Sequence, residues 1–109
     1  MEAVLSLVEA VPVGSVTTYG DVAAMVGAGG PRQVGTVLAR HGSGVPWWRV
    51  VRADGRPAQG LVEEALGRLE AEGVPVADGR VRMVRARWHP SADEVSEHLR
   101  RVEILPDGR

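Results

Sequence analysis

Four segments of the chain carry apolar residues every three or four positions, which is the spacing of the buried face of an α-helix. This pattern predicts helices over about residues 2–10, 19–26, 32–40 and 59–72. The residues expected to form their buried faces are Val4, Leu5, Leu7, Val8, Val22, Ala23, Val26, Val34, Val37, Leu38, Val62, Leu66 and Leu69. The chain is therefore predicted to be mainly α-helical.

The second and third predicted helices are joined by a short turn that is rich in glycine. Thr18 and Asp21 have the spacing of a capping box, which begins the first helix of this pair. In the turn, glycine can adopt positive φ without steric cost, and Pro31 suits the first position of the next helix. That helix is expected to expose Arg32, Gln33, Thr36 and Arg40. The pair therefore indicates a helix-turn-helix DNA-binding unit.

The remaining signals are for strands and for helix ends. Residues 46–51 are rich in strand formers, and the Asp54-Gly55 turn after them predicts a short β-hairpin or wing. A short strand is expected over residues 80–84. Gly73 is expected to end the fourth helix, and Ser91 to cap a last helix over about 91–102. The expected fold is mainly α with a short β-hairpin, a winged-helix-like helix-turn-helix domain over residues 1–90. An acidic C-terminal helix or tail, residues 91–109, is expected to follow it.

Composition excludes several kinds of chemistry. The 109 residues include no cysteine, which rules out disulfides, a thiolate nucleophile and a zinc ribbon. The three histidines lack the spacing of metal ligands, so neither a metal nor a cofactor is expected. Because no apolar run could span a membrane and no signal peptide is recognisable, we expect a cytoplasmic protein with no membrane partner.

Charge is distributed unevenly along a chain whose net charge is only −1. Residues 31–56 contain five arginines and one acid, whereas residues 91–109 contain five acids and three arginines. All 13 basic residues of the chain are arginines, which suit planar two-point contacts to phosphate and guanine. The middle of the chain is therefore the region expected to meet DNA, and a nucleoid-associated location fits this expectation.

Four motifs resemble the DNA-binding domain of the O6-alkylguanine-DNA alkyltransferases. Residues 13–23 (VGSVTTYGDVA) are similar to the opening of that domain, and residues 32–35 (RQVG) to the start of its recognition helix. Residues 46–51 (PWWRVV) lie where the family carries Pro-Cys-His-Arg-Val, and residues 69–74 (LEAEGV) match a downstream Leu-x-x-Glu-Gly-Val. The resemblance covers roughly residues 1–88 in the family's order.

Two departures from the family pattern bear on activity. Trp47 occupies the position of the alkyl-accepting cysteine, and Trp48 occupies that of the histidine that relays a proton. An indole N–H donates a hydrogen bond but is not a nucleophile. The combination resembles the alkyltransferase-like proteins, which carry tryptophan at the acceptor position and bind alkylated guanine without repairing it. The resemblance therefore implies a protein that is not an enzyme.

The resemblance also implies roles for individual residues in DNA binding. Arg32 would enter the base stack in place of an extruded nucleotide, and Tyr19 would help to rotate that nucleotide near its 3′ phosphate. Gly35 would allow the backbone to approach DNA closely. The expected DNA-binding set is Tyr19, Arg32, Gln33, Gly35, Thr36 and Arg40.

Two further groups of residues are expected near the site. Tyr19, Trp47 and Arg56 are expected to line the lesion pocket, where the indole of Trp47 offers a flat apolar wall to a base. Trp48, Arg49 and Glu72 are expected to be structural. Trp48 is expected to be structural because adjacent strand residues point to opposite faces, and Arg49 because arginine makes charge-assisted hydrogen bonds. The resemblance places Glu72 at the carboxylate of the family's Cys-His-Glu relay, and since the cysteine and the histidine are both absent here, a structural hydrogen bond is expected for it.

Three functions remain open at this point. The leading one is a non-enzymatic, monomeric sensor of O6-alkylguanine in duplex DNA, which binds through the minor groove, flips the nucleotide and signals to nucleotide excision repair proteins. The alternative is a helix-turn-helix transcription regulator without damage specificity, which would prefer an undamaged site and bind a palindrome as a dimer. The third is an interaction module that no longer binds DNA.

Overall fold

Six α-helices and four short strands make up the part of the chain that the computed structural model describes, which is residues 2–27 and 29–104. The helices are α1 (Glu2–Ala10), α2 (Tyr19–Val26), α3 (Pro31–His41), α4 (Val62–Ala71), α5 (Met83–Ala86) and α6 (Ala92–Ile104). The strands are β1 (Thr17–Thr18), β2 (Val50–Val51), β3 (Val76–Ala77) and β4 (Arg80–Val81), and two 3-10 helices cover Gly42–Gly44 and Trp47–Arg49.

Helices α2 and α3 form the helix-turn-helix that the sequence predicts. Thr18 caps α2, because its Oγ1 accepts a hydrogen bond from the backbone N–H of Asp21 at 2.9 Å. The Asp21 carboxylate does not complete the expected capping box and instead accepts two hydrogen bonds from Arg87. Gly27 ends α2 with a φ of 80°, and Pro31 is the first residue of α3. The mainly α, helix-turn-helix fold class is confirmed.

Two hydrophobic clusters meet at the parallel strand pair. Thr17 is opposite Val50 and Thr18 is opposite Val51. The cluster beneath α1, α2 and α3 contains Val50 and also Val4, Val8, Val22, Ala23, Val34 and Val45. The other cluster contains Val51 and also Val16, Leu69, Val74, Val81 and Ala86. Because neighbouring strand residues point to opposite faces, β2 contributes one valine to each cluster and joins the helix-turn-helix to α4.

The position expected for the β-hairpin is wrong. After β2, Arg52 N–H donates to Arg56 O at 2.8 Å, so the chain closes a turn around Asp54-Gly55 and then meets Pro57. Since proline has no N–H for a strand ladder, no return strand follows within the described residues. Strand β2 pairs in parallel with β1, and the antiparallel hairpin is β3–β4 instead. Its turn contains Asp78 and Gly79, with φ values of 55° and 76°.

The last two long helices differ from the predictions mainly at their ends. Helix α4 begins at Val62 rather than near Gln59, because Gly60 has a φ of 88°, outside the helical region. Its buried residues are Ala65 and Leu69, whereas Val62 and Leu66 are half-buried. Gly73 follows α4 with a φ of 86°, as expected of a helix C-terminus.

Helix α6 packs along α1. The expected capping box is confirmed, since Glu94 N–H donates to Ser91 Oγ at 3.1 Å and Ser91 N–H donates to Glu94 Oε1 at 3.0 Å. Val95 and Leu99 are half-buried, and the Ser6 hydroxyl donates to His98 O at 3.5 Å. Among the residues described, none of the helices combines the length and apolar character that a membrane crossing requires.

Candidate nucleic-acid interface

A groove of about 830 Å³ lies between the start of α2, one face of α3 and the segment that follows β2. Residues from all three elements line it: Thr18, Tyr19, Gly20, Pro31, Arg32, Gly35, Thr36, Ala39, Arg52, Ala53, Ala58 and Gln59. Two guanidinium groups, a phenol and an amide thus share the groove with small apolar side chains. This arrangement can accept a flat aromatic base and the anionic backbone attached to it.

Tyr19 forms one wall of the groove. It is the first residue of α2, so the cap made by Thr18 fixes the position of its backbone. Its half-buried ring packs against the hydrophobic cluster beneath the helices, and a Cβ at Gly35 would lie 4.0 Å from its Cε1. Burial raises the pKa of Tyr19, and the positive charge of Arg52 opposes that rise. The phenol is therefore neutral at physiological pH and can donate a hydrogen bond.

Arg32 also lines the groove, from the first turn of α3. Its side chain is exposed, and its carbonyl accepts a hydrogen bond from the Thr36 hydroxyl at 3.1 Å. The N-terminal turn of a helix attracts anions, and an exposed arginine there adds a positive charge. Tyr19 and Arg32 therefore line one groove, together with Gly35 and Thr36.

Two residues of the expected DNA-binding set lie outside the groove lining. Gln33 uses its side chain for the start of α3, because its Oε1 accepts a hydrogen bond from Gly30 N–H at 2.6 Å. Arg40 is exposed in the last turn of α3. Contacts of these two residues with DNA remain a prediction.

Two residues of the expected lesion pocket also lie outside the lining. Trp47 is half-buried in the second 3-10 helix, near Gly42 at the end of α3, with its ring edge-on to that of Trp48. Arg56 is exposed, and its Nε lies 3.8 Å from Asp54 Oδ2. Of the three residues expected in the pocket, only Tyr19 lines the groove.

Glu72 joins the segment before β2 to the end of α4. Its carboxylate accepts hydrogen bonds from Arg49 Nε at 2.9 Å, Arg49 Nη2 at 2.8 Å and Trp48 Nε1 at 3.0 Å. Arg49 Nη1 also donates to Val11 O at 2.9 Å. The hydrogen bond from Arg49, and then that from Trp48, lower the pKa of Glu72.

The reason given for separating Trp47 from Trp48 is wrong, although the two rings do differ in direction. Residues 47–49 form a 3-10 helix and not a strand, and the two ring planes are 87° apart. Two guanidinium groups lie over the Trp48 ring, that of Arg68 at 4.6 Å and that of Arg49 at 5.6 Å from the ring centre. Trp48 thus contacts Arg68 of α4 and is not among the residues that line the groove.

Sequence analysis missed Arg52 and Gln59 as site residues. Both line the groove, and the charge of Arg52 acts on the Tyr19 phenol. The available signal was the position of Arg52 directly after a buried valine pair, at the end of a strand. The turn predicted over residues 53–56 obscures that signal, because a β-hairpin there would place this segment away from the groove.

Comparison with known families supports a DNA-binding role for this fold. Residues 1–74 match the family described as "6-O-methylguanine DNA methyltransferase, DNA binding domain". The chain is 45% identical over 94 residues to a protein of Escherichia coli K12 called DNA base-flipping protein, which covers 79% of this chain and 71% of that protein. A Vibrio parahaemolyticus protein of the same name is 33% identical over 93 residues, covering 80% of this chain and 93% of that protein.

Two solved structures share the fold. One is S. pombe Atl1 in complex with damaged DNA containing O6-carboxymethylguanine, with a TM-score of 0.73 and 29% identity over 81% of this chain and 93% of that one. The other is S. pombe ATL in complex with DNA, with a TM-score of 0.69 and 31% identity over 80% of this chain and 92% of that one. The chain therefore belongs to the 6-O-methylguanine DNA methyltransferase family, whose DNA-binding domain it contains.

Proposed function

We propose that the protein is a non-enzymatic sensor of O6-alkylguanine in duplex DNA. The protein enters the minor groove of DNA and turns the lesion-bearing nucleotide out of the base stack. It then holds this nucleotide in its own groove, between α2 and α3. The observation that carries this proposal is that Tyr19 and Arg32 line the same groove. The names of the relatives, DNA base-flipping protein and Atl1 with damaged DNA, support the same function.

The two residues divide the work of extrusion between them. Turning a nucleotide out costs a few kcal/mol of stacking and pairing, and least where the base is already damaged. Arg32, exposed at the start of α3, fills the vacated space and neutralises phosphate charge. The neutral phenol of Tyr19 packs beside the rotated nucleotide and donates a hydrogen bond, while Arg52 and Gln59 offer further donors to the base or its phosphate.

Binding takes the place of repair in this proposal. Direct repair in the family requires a cysteine thiolate, and the chain contains no cysteine. Trp47, at the acceptor position of the resemblance, has no nucleophilic atom. The protein acts as a monomer and leaves the alkyl group on the base, and the distorted complex marks the site for nucleotide excision repair proteins.

The direct test is titration of two duplexes of one sequence, one with and one without O6-methylguanine, at a fixed salt concentration. We expect tighter binding to the damaged duplex and loss of that preference in Arg32→Ala. Arg100→Ala, an exposed arginine of α6, serves as the control and keeps the preference. Equal affinity of the wild-type protein for the two duplexes would contradict the sensor, and preference for one undamaged sequence would support a transcription regulator instead.

Extrusion and the absence of repair need separate measurements. A 2-aminopurine beside the lesion brightens when its stacking is broken, so its fluorescence should rise on binding wild-type protein and much less with Arg32→Ala. After prolonged incubation and digestion of the DNA, the amount of O6-methylguanine nucleoside should be unchanged. Its conversion to 2′-deoxyguanosine would disprove the non-enzymatic part of the proposal.

A further inference from the structure

The β3–β4 hairpin is attached to the edge of the groove through the backbone. Val81 N–H donates to Gly55 O at 2.9 Å, which places β4 against the turn that follows β2. That turn is closed by the hydrogen bond from Arg52 N–H to Arg56 O at 2.8 Å. Since Arg52 also lines the groove, a continuous surface runs from the groove across the turn to the hairpin.

Three arginines are exposed along this surface. Val81 is buried and Arg80 before it is exposed, so the strand directs Arg80 outward. Arg52 and Arg56 are exposed on the turn. We call Arg52, Arg56 and Arg80 the basic ridge. These residues lie around Asp54, whose pKa is lowered by the hydrogen bond from Arg56 N–H and by the charges of all three guanidinium groups.

The three positive charges of the ridge are only partly offset by two nearby carboxylates, Asp54 and Asp78, the second of which lies in the β3–β4 turn beside Arg80. Asp54 is the carboxylate at its centre, and its side chain and that of Arg56 are 47% and 56% exposed, with 3.8 Å between Oδ2 and Nε. An ion pair that is so long and so exposed contributes little, and salt screens it further. The ridge therefore presents an excess of positive charge in a chain whose net charge is −1.

We propose that the basic ridge extends the DNA interface, with its guanidinium groups binding phosphates of the duplex beside the lesion. This inference rests on the proposed binding of DNA in the groove, because the groove fixes where the duplex lies. Arg52 lines the groove itself, whereas Arg56 and Arg80 lie outside its lining, so the contacts of these two are with the backbone. Arg56 and Arg80 contribute affinity and the salt dependence of binding, and they do not contribute to the choice of lesion.

Two substitutions change the net charge of the ridge in opposite directions. Arg80→Gln removes one positive charge from the hairpin. Asp54→Asn removes the negative charge at the centre of the ridge and keeps an oxygen to accept the hydrogen bond from Arg56 N–H. Arg100→Gln and Asp93→Asn make the same changes of net charge on α6, away from the ridge, and serve as matched controls.

The affinity of each variant is measured from 50 to 200 mM salt on a 20-base-pair duplex, with and without O6-methylguanine. We expect Arg80→Gln to reduce the slope of log K against log salt concentration by about 0.9, the loss of one phosphate contact. Asp54→Asn should bind more tightly and with a steeper slope. The ratio of affinities for the damaged and plain duplexes should stay the same in both, and the controls should match wild type.

The outcomes separate the ridge from the sensor. If Arg80→Gln matches Arg100→Gln and Asp54→Asn matches Asp93→Asn, the ridge is disproved, while the preference of the wild-type protein for damage is unaffected. A changed lesion preference with an unchanged slope also overturns the proposal, because it places Arg80 at the base. If the wild-type protein shows no preference but both slopes shift as expected, the sensor fails and the ridge stands.

Discussion

Arg49 and Glu72 form a two-point ion pair, in which Arg49 Nε lies 2.9 Å from Glu72 Oε1 and Arg49 Nη2 lies 2.8 Å from Glu72 Oε2. Their side chains are only 11% and 15% exposed. The pair ties the segment before β2 to the end of α4, and Trp48 adds a third hydrogen bond to the same carboxylate. The contact therefore fixes the position of the segment that leads into β2 and then to Arg52, which lines the groove.

Loss of this carboxylate should destabilise the fold. In Glu72→Gln, Arg49 keeps its charge in a largely buried place without a partner charge, which costs about 3 kcal/mol. The exposed pair of Glu64 and Arg68, 3.2 Å apart on α4, is the control, and Glu64→Gln should cost about 0.3–0.5 kcal/mol. Urea denaturation monitored by tryptophan fluorescence measures both. Equal losses of stability would show that the buried pair stabilises the fold no more than the exposed pair does.

The same pair predicts how stability depends on pH. The hydrogen bond from Arg49 lowers the pKa of Glu72 below its ordinary value of 4.5, so folding favours the ionised carboxylate. Its contribution is present above the unfolded-state pKa and is lost as the pH falls through that value towards the folded-state pKa. The free energy of unfolding should therefore decline below about pH 4.5, and more steeply in wild type than in Glu72→Gln. Parallel acid limbs in the two proteins would contradict this.

The helix-turn-helix could be predicted from sequence because its signals are local. The cap at Thr18, the glycine at the end of α2 and Pro31 at the start of α3 each act within a few residues, and all three elements are present. The strands could not be predicted in this way. Strand β2 pairs in parallel with β1, which lies more than 30 residues earlier in the chain, and no local turn specifies that contact.

The groove combines predictable and unpredictable residues for the same reason. Tyr19 and Arg32 were identified from motifs at the starts of α2 and α3. Arg52 and Gln59 reach the groove only because the turn after β2 folds back beside Tyr19, and this depends on tertiary packing. Trp47 is the opposite case. Its place in a motif predicts that it lines the pocket, but it lies outside the groove lining.

Gly35→Ala should separate stability from DNA binding. Gly35 lies within α3, where alanine is favoured over glycine by up to about 1 kcal/mol. A Cβ there would meet only the Tyr19 ring, at the ordinary contact distance of 4.0 Å. We expect a higher melting temperature and weaker binding to damaged duplex, because the methyl group occupies the groove between Tyr19 and Arg32. Unchanged DNA affinity in a stabilised variant would place the DNA elsewhere.

Substitutions at Gly55 and Gly60 test whether the β3–β4 hairpin packs against the turn after β2, at the edge of the groove. Both have positive φ, 89° and 88°, so alanine at either position strains the backbone by about 1–2 kcal/mol. They differ in their surroundings, because a Cβ at Gly55 would lie 2.5 Å from Val81 O, whereas a Cβ at Gly60 would meet no described atom within 4 Å.

Gly55→Ala should therefore cost about 1–3 kcal/mol more than Gly60→Ala, since β4 must move away from the turn. The difference between the two variants, measured by urea denaturation, isolates this contact from the backbone strain that they share. Displacement of β4 also carries Arg80 away from Arg52, so Gly55→Ala should reduce the salt dependence of DNA binding and Gly60→Ala should not. Equal stability of the two variants would show that β4 does not pack against Gly55 in solution.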